Sequence, residues 1–251
     1  MTDSASAPKV LIIGATGSIG RHCITAVQEA GLRPRAMVRD LARGEQVLPG
    51  VELVHGDLED PASLPRALDG ATLIVMVHGA PGEPDAGERI DYGGMRNVLH
   101  ALGDQRPRIA LMSSVYATRT DVPGANPWKR RAERLLRASG LEHTIVRPGW
   151  FDKAGAGQRK LVLEQGGTLD GEIARSQIAE VLVRSLLSDS ALGKTFELVA
   201  AQGEQQSDWD ALFAPLEADR AGELDGARDP QNLPIEGEPE ALREDLEAVR
   251  A

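Results

Sequence analysis

Three glycines spaced three apart, Gly14, Gly17 and Gly20, close the apolar run Lys9-Val-Leu-Ile-Ile13 and open a helical pattern. Each suits a separate need of phosphate chemistry. Gly14 permits a tight turn at the end of a strand. Gly17 carries no side chain to hold the backbone off a pyrophosphate. Gly20 lets the following helix pack closely on the sheet. Thr16, Ser18 and Ile19 complete the turn, and free N–H groups at the helix start face the phosphates. The strand–turn–helix order is the context that gives a glycine triplet meaning. A bound dinucleotide is therefore expected.

Other reactive side chains are sparse. Cys23 is the only cysteine, so no intrachain disulfide can form. It falls just inside the first helix, where a dipole lowers a thiol pKa, yet a small core residue is the plainer expectation. His22, His55, His78, His100 and His143 are scattered without metal-ligand spacing, and no metal is expected.

The net charge of −10 sits in one place. Residues 202–251 hold 14 acidic and 4 basic residues, whereas 1–201 hold 24 of each. No basic stripe suggests nucleic acid or an anionic membrane as partner. No apolar run approaches the roughly 18 residues of a membrane helix. Residues 1–8 lack the basic and apolar parts of a secretion signal, so a cytoplasmic location is expected by default. Monomer and homodimer both stay open.

Elements of alternating type must position these residues. Apolar β-type runs occur at 10–13, 35–38, 51–54, 73–77, 109–112, 144–146 and 195–199. Helical patterns lie at 19–30, 61–68, 88–102, 126–139 and 176–188, with Gly31 and Gly140 where C-caps belong. This predicts an α/β fold, a Rossmann-type doubly wound parallel sheet with helices on both faces. Ligands in such sheets bind at the C-terminal strand ends. Residues 1–201 are expected to form a dinucleotide-binding Rossmann domain that includes a small substrate-binding C-terminal part. Residues 202–251 form an acidic C-terminal extension, partly helical, docked or flexible. Within it, 207–216 is a short helix whose Trp209 and Phe213 need burial, 218–239 is expected to be disordered, and 239–250 is a charged helix.

The motifs are Gly14-Ala-Thr-Gly17-Ser-Ile-Gly20, Val38-Arg39-Asp40, Gly56-Asp57-Leu58, Lys129 with Glu133, and Val146-Arg147-Pro148-Gly149. Over about residues 8–201 the chain resembles the short-chain dehydrogenase/reductase superfamily. More closely, it is similar to the atypical branch with NAD(P)H-binding domains like those of biliverdin-IXβ reductase-like and NmrA-like proteins.

The resemblance implies roles. Arg39 follows the second strand, beside the adenine ribose, where arginine suits the 2′-phosphate of NADP and an acidic residue would suit NAD. Arg43 or Arg35 is a possible assistant, and Asp40 can face either way. Asp57 would accept from the adenine amino group while Leu58 packs on the base. His78 and Gly79 end the fourth strand beside ribose or phosphate. Lys129 matches the lysine that holds the nicotinamide ribose, and Pro148 borders the nicotinamide. Trp150 and Phe151 would wall an apolar substrate pocket.

The proton chemistry departs from the family. Its tyrosine stands four residues before the lysine, and here that position is Ala125. Ser113 or Ser114 matches a serine that polarises the substrate, and Tyr116 is a substitute phenol. The Arg175-Ser-Gln-Ile-Ala179 segment has Gln177 where an aspartate is usual. The expected activity is an NADP(H)-dependent reductase acting on a small apolar carbonyl, quinone or flavin-like acceptor, with NADP(H) preferred over NAD(H). A non-catalytic NADP-binding regulator is one alternative. A lyase, isomerase or epimerase that uses the bound cofactor is another.

Overall fold

The computed structural model describes residues 7–79, 85–122, 126–151, 153–229 and 232–250. Its centre is an eight-stranded sheet built from β1 (Lys9–Ile13), β2 (Arg33–Val38), β3 (Glu52–His55), β4 (Leu73–Met76), β5 (Arg108–Met112), β6 (His143–Pro148), β7 (Lys160–Glu164) and β8 (Lys194–Ala201). The spatial order is β3-β2-β1-β4-β5-β6-β8-β7. All neighbours run parallel except β7, which is antiparallel to β8 at the edge. The doubly wound parallel sheet expected above is present. The chain leaves β1 toward β2 on one side and returns to β4 on the other. A crevice therefore opens between the C-terminal ends of β1 and β4.

Apolar side chains alternate across the sheet because successive Cβ atoms point to opposite faces. Val10 and Ile12 join one core with α1 (Gly20–Glu29) and α6 (Arg175–Leu187). Leu11 and Ile13 join the other with α3 (Leu64–Leu68), α4 (Gly93–Leu102) and α5 (Pro127–Ala138). Cys23 lies fully inside the first core, where burial pushes its thiol up to about 12. It is a core residue and not an activated thiol.

Some elements escaped the sequence reading. Helix α2 (Leu41–Val47) carries too few apolar residues for a clear periodic signal, and it starts because the Asp40 side chain accepts from the Arg43 N–H at 3.0 Å. Strand β7 is only half-buried, so its apolar pattern is weak. The turn before α3 is 3-10 at Pro61–Ser63, and α4 is preceded by a π-helical turn at Gly87–Tyr92.

The expectation of disorder across 218–239 is overturned for its described residues. Helix α5 turns Arg130, Arg131, Arg134 and Arg137 toward the extension. Asp219 accepts from Arg137 Nε at 3.0 Å, and Asp225 from Arg134 Nε at 2.9 Å. Glu238, fully buried, receives Arg130, Arg131 and Arg134 at 2.8–3.0 Å. Composition alone signals a solvated acidic segment, but four arginines on one helix face give its carboxylates partners. Helices α7 (Trp209–Phe213) and α8 (Glu240–Val249) add apolar anchors. Phe213 is fully buried between Phe196 and Trp209, and Leu242 and Leu246 enter the second core.

Candidate functional site

The glycine turn has steric reasons at each position. Gly14 has φ +92°, and a Cβ there would stand 2.8 Å from the His78 amide nitrogen. A side chain at this point would run into the end of β4. The turn closes with the Gly17 N–H donating to the Gly14 carbonyl at 3.0 Å. At Gly20 a Cβ would lie 2.1 Å from the same carbonyl, so α1 abuts the turn only because residue 20 has no side chain. Gly17 is exposed, with its backbone free to meet a ligand.

This turn forms one wall of a cavity of about 500 Å³ at the β1/β4 crevice. Gly14, Thr16, Gly17, Ser18 and Ile19 line it there. Arg39 lines it at the end of β2, Asp57 and Leu58 after β3, and His78 and Gly79 after β4. Met112 at the end of β5, Phe151 after β6 and Ile90 from the turn before α4 also line it. A cavity of this size and position fits an extended nucleotide. Ten residues singled out by sequence thus meet around one space, together with Phe151. Gly20, Lys129 and Pro148 stand outside the lining.

Two neighbours of Arg39 have structural contacts of their own. Asp40 caps α2, its Oδ1 accepting from the Arg43 N–H at 3.0 Å. Arg35 does not assist: it reaches the Asp69 carbonyl at 3.2 Å and Glu52 at 3.5 Å, away from the cavity. Asp57 Oδ1 accepts from the Glu59 N–H at 3.0 Å, so the carboxylate also shapes its own turn.

Around Gly79 lies a buried polar group. Lys129 Nζ approaches Asp91 Oδ1 at 3.0 Å and donates to the His78 carbonyl at 3.3 Å. The Asp91 side chain is 1% exposed and that of Lys129 12%. Asn126 joins them, with Nδ2 donating to Asp91 Oδ2 at 3.3 Å while Oδ1 caps α5 through the Trp128 and Lys129 N–H groups. His78 is 6% exposed, and its Nδ1 has no hydrogen-bond partner among the described residues. Burial, and then the Lys129 charge, lower its pKa to about 4 despite an opposing pull from Asp91, so the ring is neutral near pH 7. The sequence reading missed Asp91 and Asn126. Asn126 was visible as a cap before Pro127, but nothing in the local pattern around Asp91 signals a partner on another helix.

The remaining candidates separate. Ser113 is buried with its hydroxyl toward the Glu133 carboxylate, inside the core and not at the cavity. Ser114 is half-buried, two residues beyond Met112. Tyr116 does not line the cavity; it adopts φ +63°, and burial and a hydrogen bond with Asp170 raise its phenol pKa. Trp150 is 54% exposed and donates from Nε1 to the same Asp170 at 3.1 Å. Phe151 reaches the cavity, with the Arg175 guanidinium 4.8 Å from its ring centre. Pro148 is buried at the end of β6, and its carbonyl accepts from the Val115 N–H at 3.1 Å. Gln177 donates to the Arg159 carbonyl at 3.0 Å and accepts from the Ala174 N–H at 3.3 Å. Ala125 lies outside the described residues.

Comparison with known proteins agrees with this geometry. A family model described as NAD(P)H-binding matches residues 14–189. Sanguinarine reductase of Eschscholzia californica is 26% identical, covering 86% of this chain and 98% of that protein. NAD(P)H azoreductase of Xenophilus azovorans is 32% identical over 57% of this chain and 48% of its own length. Among solved structures, a putative NAD-dependent epimerase/dehydratase from Bacillus halodurans superposes with a TM-score of 0.70 at 24% identity, covering 83% of this chain and 98% of that one.

Proposed function

The chain belongs to the NAD(P)H-binding family, in its atypical short-chain dehydrogenase/reductase branch, and from that premise we propose that it is an NADP(H)-dependent reductase. Its acceptor is a small apolar carbonyl, quinone or flavin-like molecule. The observation that carries the reading is the single cavity that joins the glycine turn and Arg39 at one end to Met112 and Phe151 at the other. Relatives named as reductases support the same class of reaction.

The fit to a nicotinamide dinucleotide rests on the turn. A Cβ at Gly14 would strike the end of β4 and force the turn apart, and the exposed Gly17 leaves a cradle for phosphate oxygens. In this reading the turn amides hold the pyrophosphate, and Arg39 binds the 2′-phosphate through its planar fork. Asp57 and Leu58 receive the adenine, and Lys129 donates to the nicotinamide ribose. When bound, the dinucleotide supplies hydride to the acceptor. Met112 and Phe151 exclude water from the reacting end and favour an apolar ring. Ser114 polarises the acceptor oxygen. Tyr116 is turned toward Asp170, and the tyrosine position of the family is Ala125, so a reactive acceptor takes its proton from solvent.

That same alanine favours one rival, a dinucleotide-binding regulator without turnover. The two separate in a single assay. NADPH absorbance is followed with a panel of quinones, flavins and aldehydes. Acceptor-dependent oxidation is expected. Tight NADPH binding with no oxidation by any acceptor would sink the reductase reading and leave the regulator.

A further inference from the structure

In the short-chain family a tyrosine stands four residues before the lysine. Here the sequence offers alanine, and the lysine, though outside the cavity lining, lies beside Gly79 of that lining. We infer that Asp91 is the positioning residue for Lys129, holding its ammonium by an ion pair from the π-helical turn before α4. This deepens the proposed function and rests on its placing of the nicotinamide ribose near Lys129.

Geometry and donor counting carry the inference. An ammonium has three N–H donors. One reaches the His78 carbonyl, and a second is drawn to Asp91 Oδ1 at 3.0 Å. The third has no partner among the described residues, and Nζ stands beside Gly79 of the cavity lining, 4.0 Å from where a Cβ at residue 79 would be. Asp91 is almost fully buried, and its Oδ1 has no aligned hydrogen-bond donor among the described residues. A buried carboxylate so placed is stable only against a nearby cation, and Lys129 supplies it.

Asp91 also fixes the backbone that carries the lysine. Its other oxygen accepts from Asn126, which caps the first turn of α5. The carboxylate therefore restrains Lys129 at both the ammonium and the helix start. It does so from a turn of π type, Gly87–Tyr92, a distortion of the helical ladder that is frequent at functional sites. Asp91 is buried and does not line the cavity, so it positions and does not transfer a proton.

The test is a double-mutant cycle on the full chain with NADPH binding read by fluorescence, without acceptor. Asp91→Asn keeps the shape and the Asn126 contact site but removes the charge. It is expected to weaken NADPH about tenfold, the loss of one charged hydrogen bond. Lys129→Ala should weaken it at least as much, and the double variant should bind like Lys129→Ala alone. Losses that add in full, or an unchanged affinity for Asp91→Asn, would overturn the inference. Asp91→Glu, which restores the charge, should fall between wild type and Asp91→Asn; if it binds no better than Asp91→Asn, the ion pair is not the cause. A second readout needs no dinucleotide: trace acetylation of the unliganded protein, with Lys129 quantified by mass spectrometry. Removing the carboxylate should speed acetylation of Lys129 by about threefold or more, because the amine loses the 3.0 Å contact that holds it against the turn before α4. An unchanged rate would overturn the inference. If the wild-type protein bound no dinucleotide, the proposed function would fall, and the acetylation result would still decide the Lys129–Asp91 coupling.

Discussion

Arg147 and Asp229 meet through two hydrogen bonds of 2.8 Å each, with both side chains 1% exposed. The bond pair ties the end of β6, one residue before Pro148, to the C-terminal extension. Arg147 also reaches Glu133 and Glu197, so one guanidinium joins helix α5, strand β8 and the extension. A fork of five donors is suited to such a junction.

Removing Asp229 takes two charged hydrogen bonds from Arg147 but leaves it paired with Glu133 and Glu197. Asp229→Ala is expected to cost about 1.5–3 kcal/mol of folding stability. Urea denaturation followed by circular dichroism checks it. A change below about 1 kcal/mol, the range of exposed pairs, would show that the contact does not hold in solution.

Acid should weaken the same region. Burial alone would raise Glu133, but the charges and hydrogen bonds of Arg147, with Arg137 and Ser113, hold it at about 2. Asp219 is likewise held below the usual carboxylate range, its burial outweighed by His143, Arg137 and Thr195. Both carboxylates bind protons more weakly folded than unfolded, so their stabilisation is present above about pH 5 and is lost as pH falls toward 2. Glu197 is raised by burial and works the other way, which partly offsets them. The urea midpoint should therefore drop between pH 5 and pH 3, and Glu133→Gln should flatten that slope. An equal midpoint at pH 7 and pH 3 would contradict the expectation.

Arg39 sets the cofactor preference in our reading. Arg39→Ala should weaken NADPH by about tenfold or more, the loss of a charge-assisted fork on phosphate, and leave NADH nearly unchanged. Fluorescence titration with both dinucleotides measures this. Equal losses would remove Arg39 from the 2′-phosphate.

Gly14→Ala should abolish dinucleotide binding and lower stability by about 1–3 kcal/mol, because a Cβ meets the end of β4 and the residue needs φ +92°. Gly31→Ala is the control. It has a similar φ of +74° but nothing within 4 Å of a Cβ, so binding should persist. If both variants bound equally well, the close approach at Gly14 would have no role in the cradle.

Much of the cavity was legible because its determinants are local. A turn that needs positive φ, or no side chain at all, must be written as glycine at fixed spacing, and strands buried on both faces must be apolar runs. That is why residues from Gly14 to Gly79 could be placed together before any coordinates. Beyond β5 the sequence is less informative. Ser113 and Tyr116 follow β5, but their side-chain directions depend on neighbours distant in sequence, Glu133 and Asp170. Helix α2 was missed because one capping aspartate and the backbone, not an apolar stripe, define it.

The sequence by itself determined the alternation of strands and helices, the glycine turn, the arginine after β2 and the alanine that replaces a tyrosine. Each is a property of one residue or of a short period along the chain. Only the tertiary structure decided that Asp91 faces Lys129, that Asp40 is spent on a helix cap, and that the acidic extension lies docked against α5. Those outcomes depend on which charges are brought together out of water. A carboxylate reads the same in sequence whether it is solvated or paired, and only packing chooses between the two.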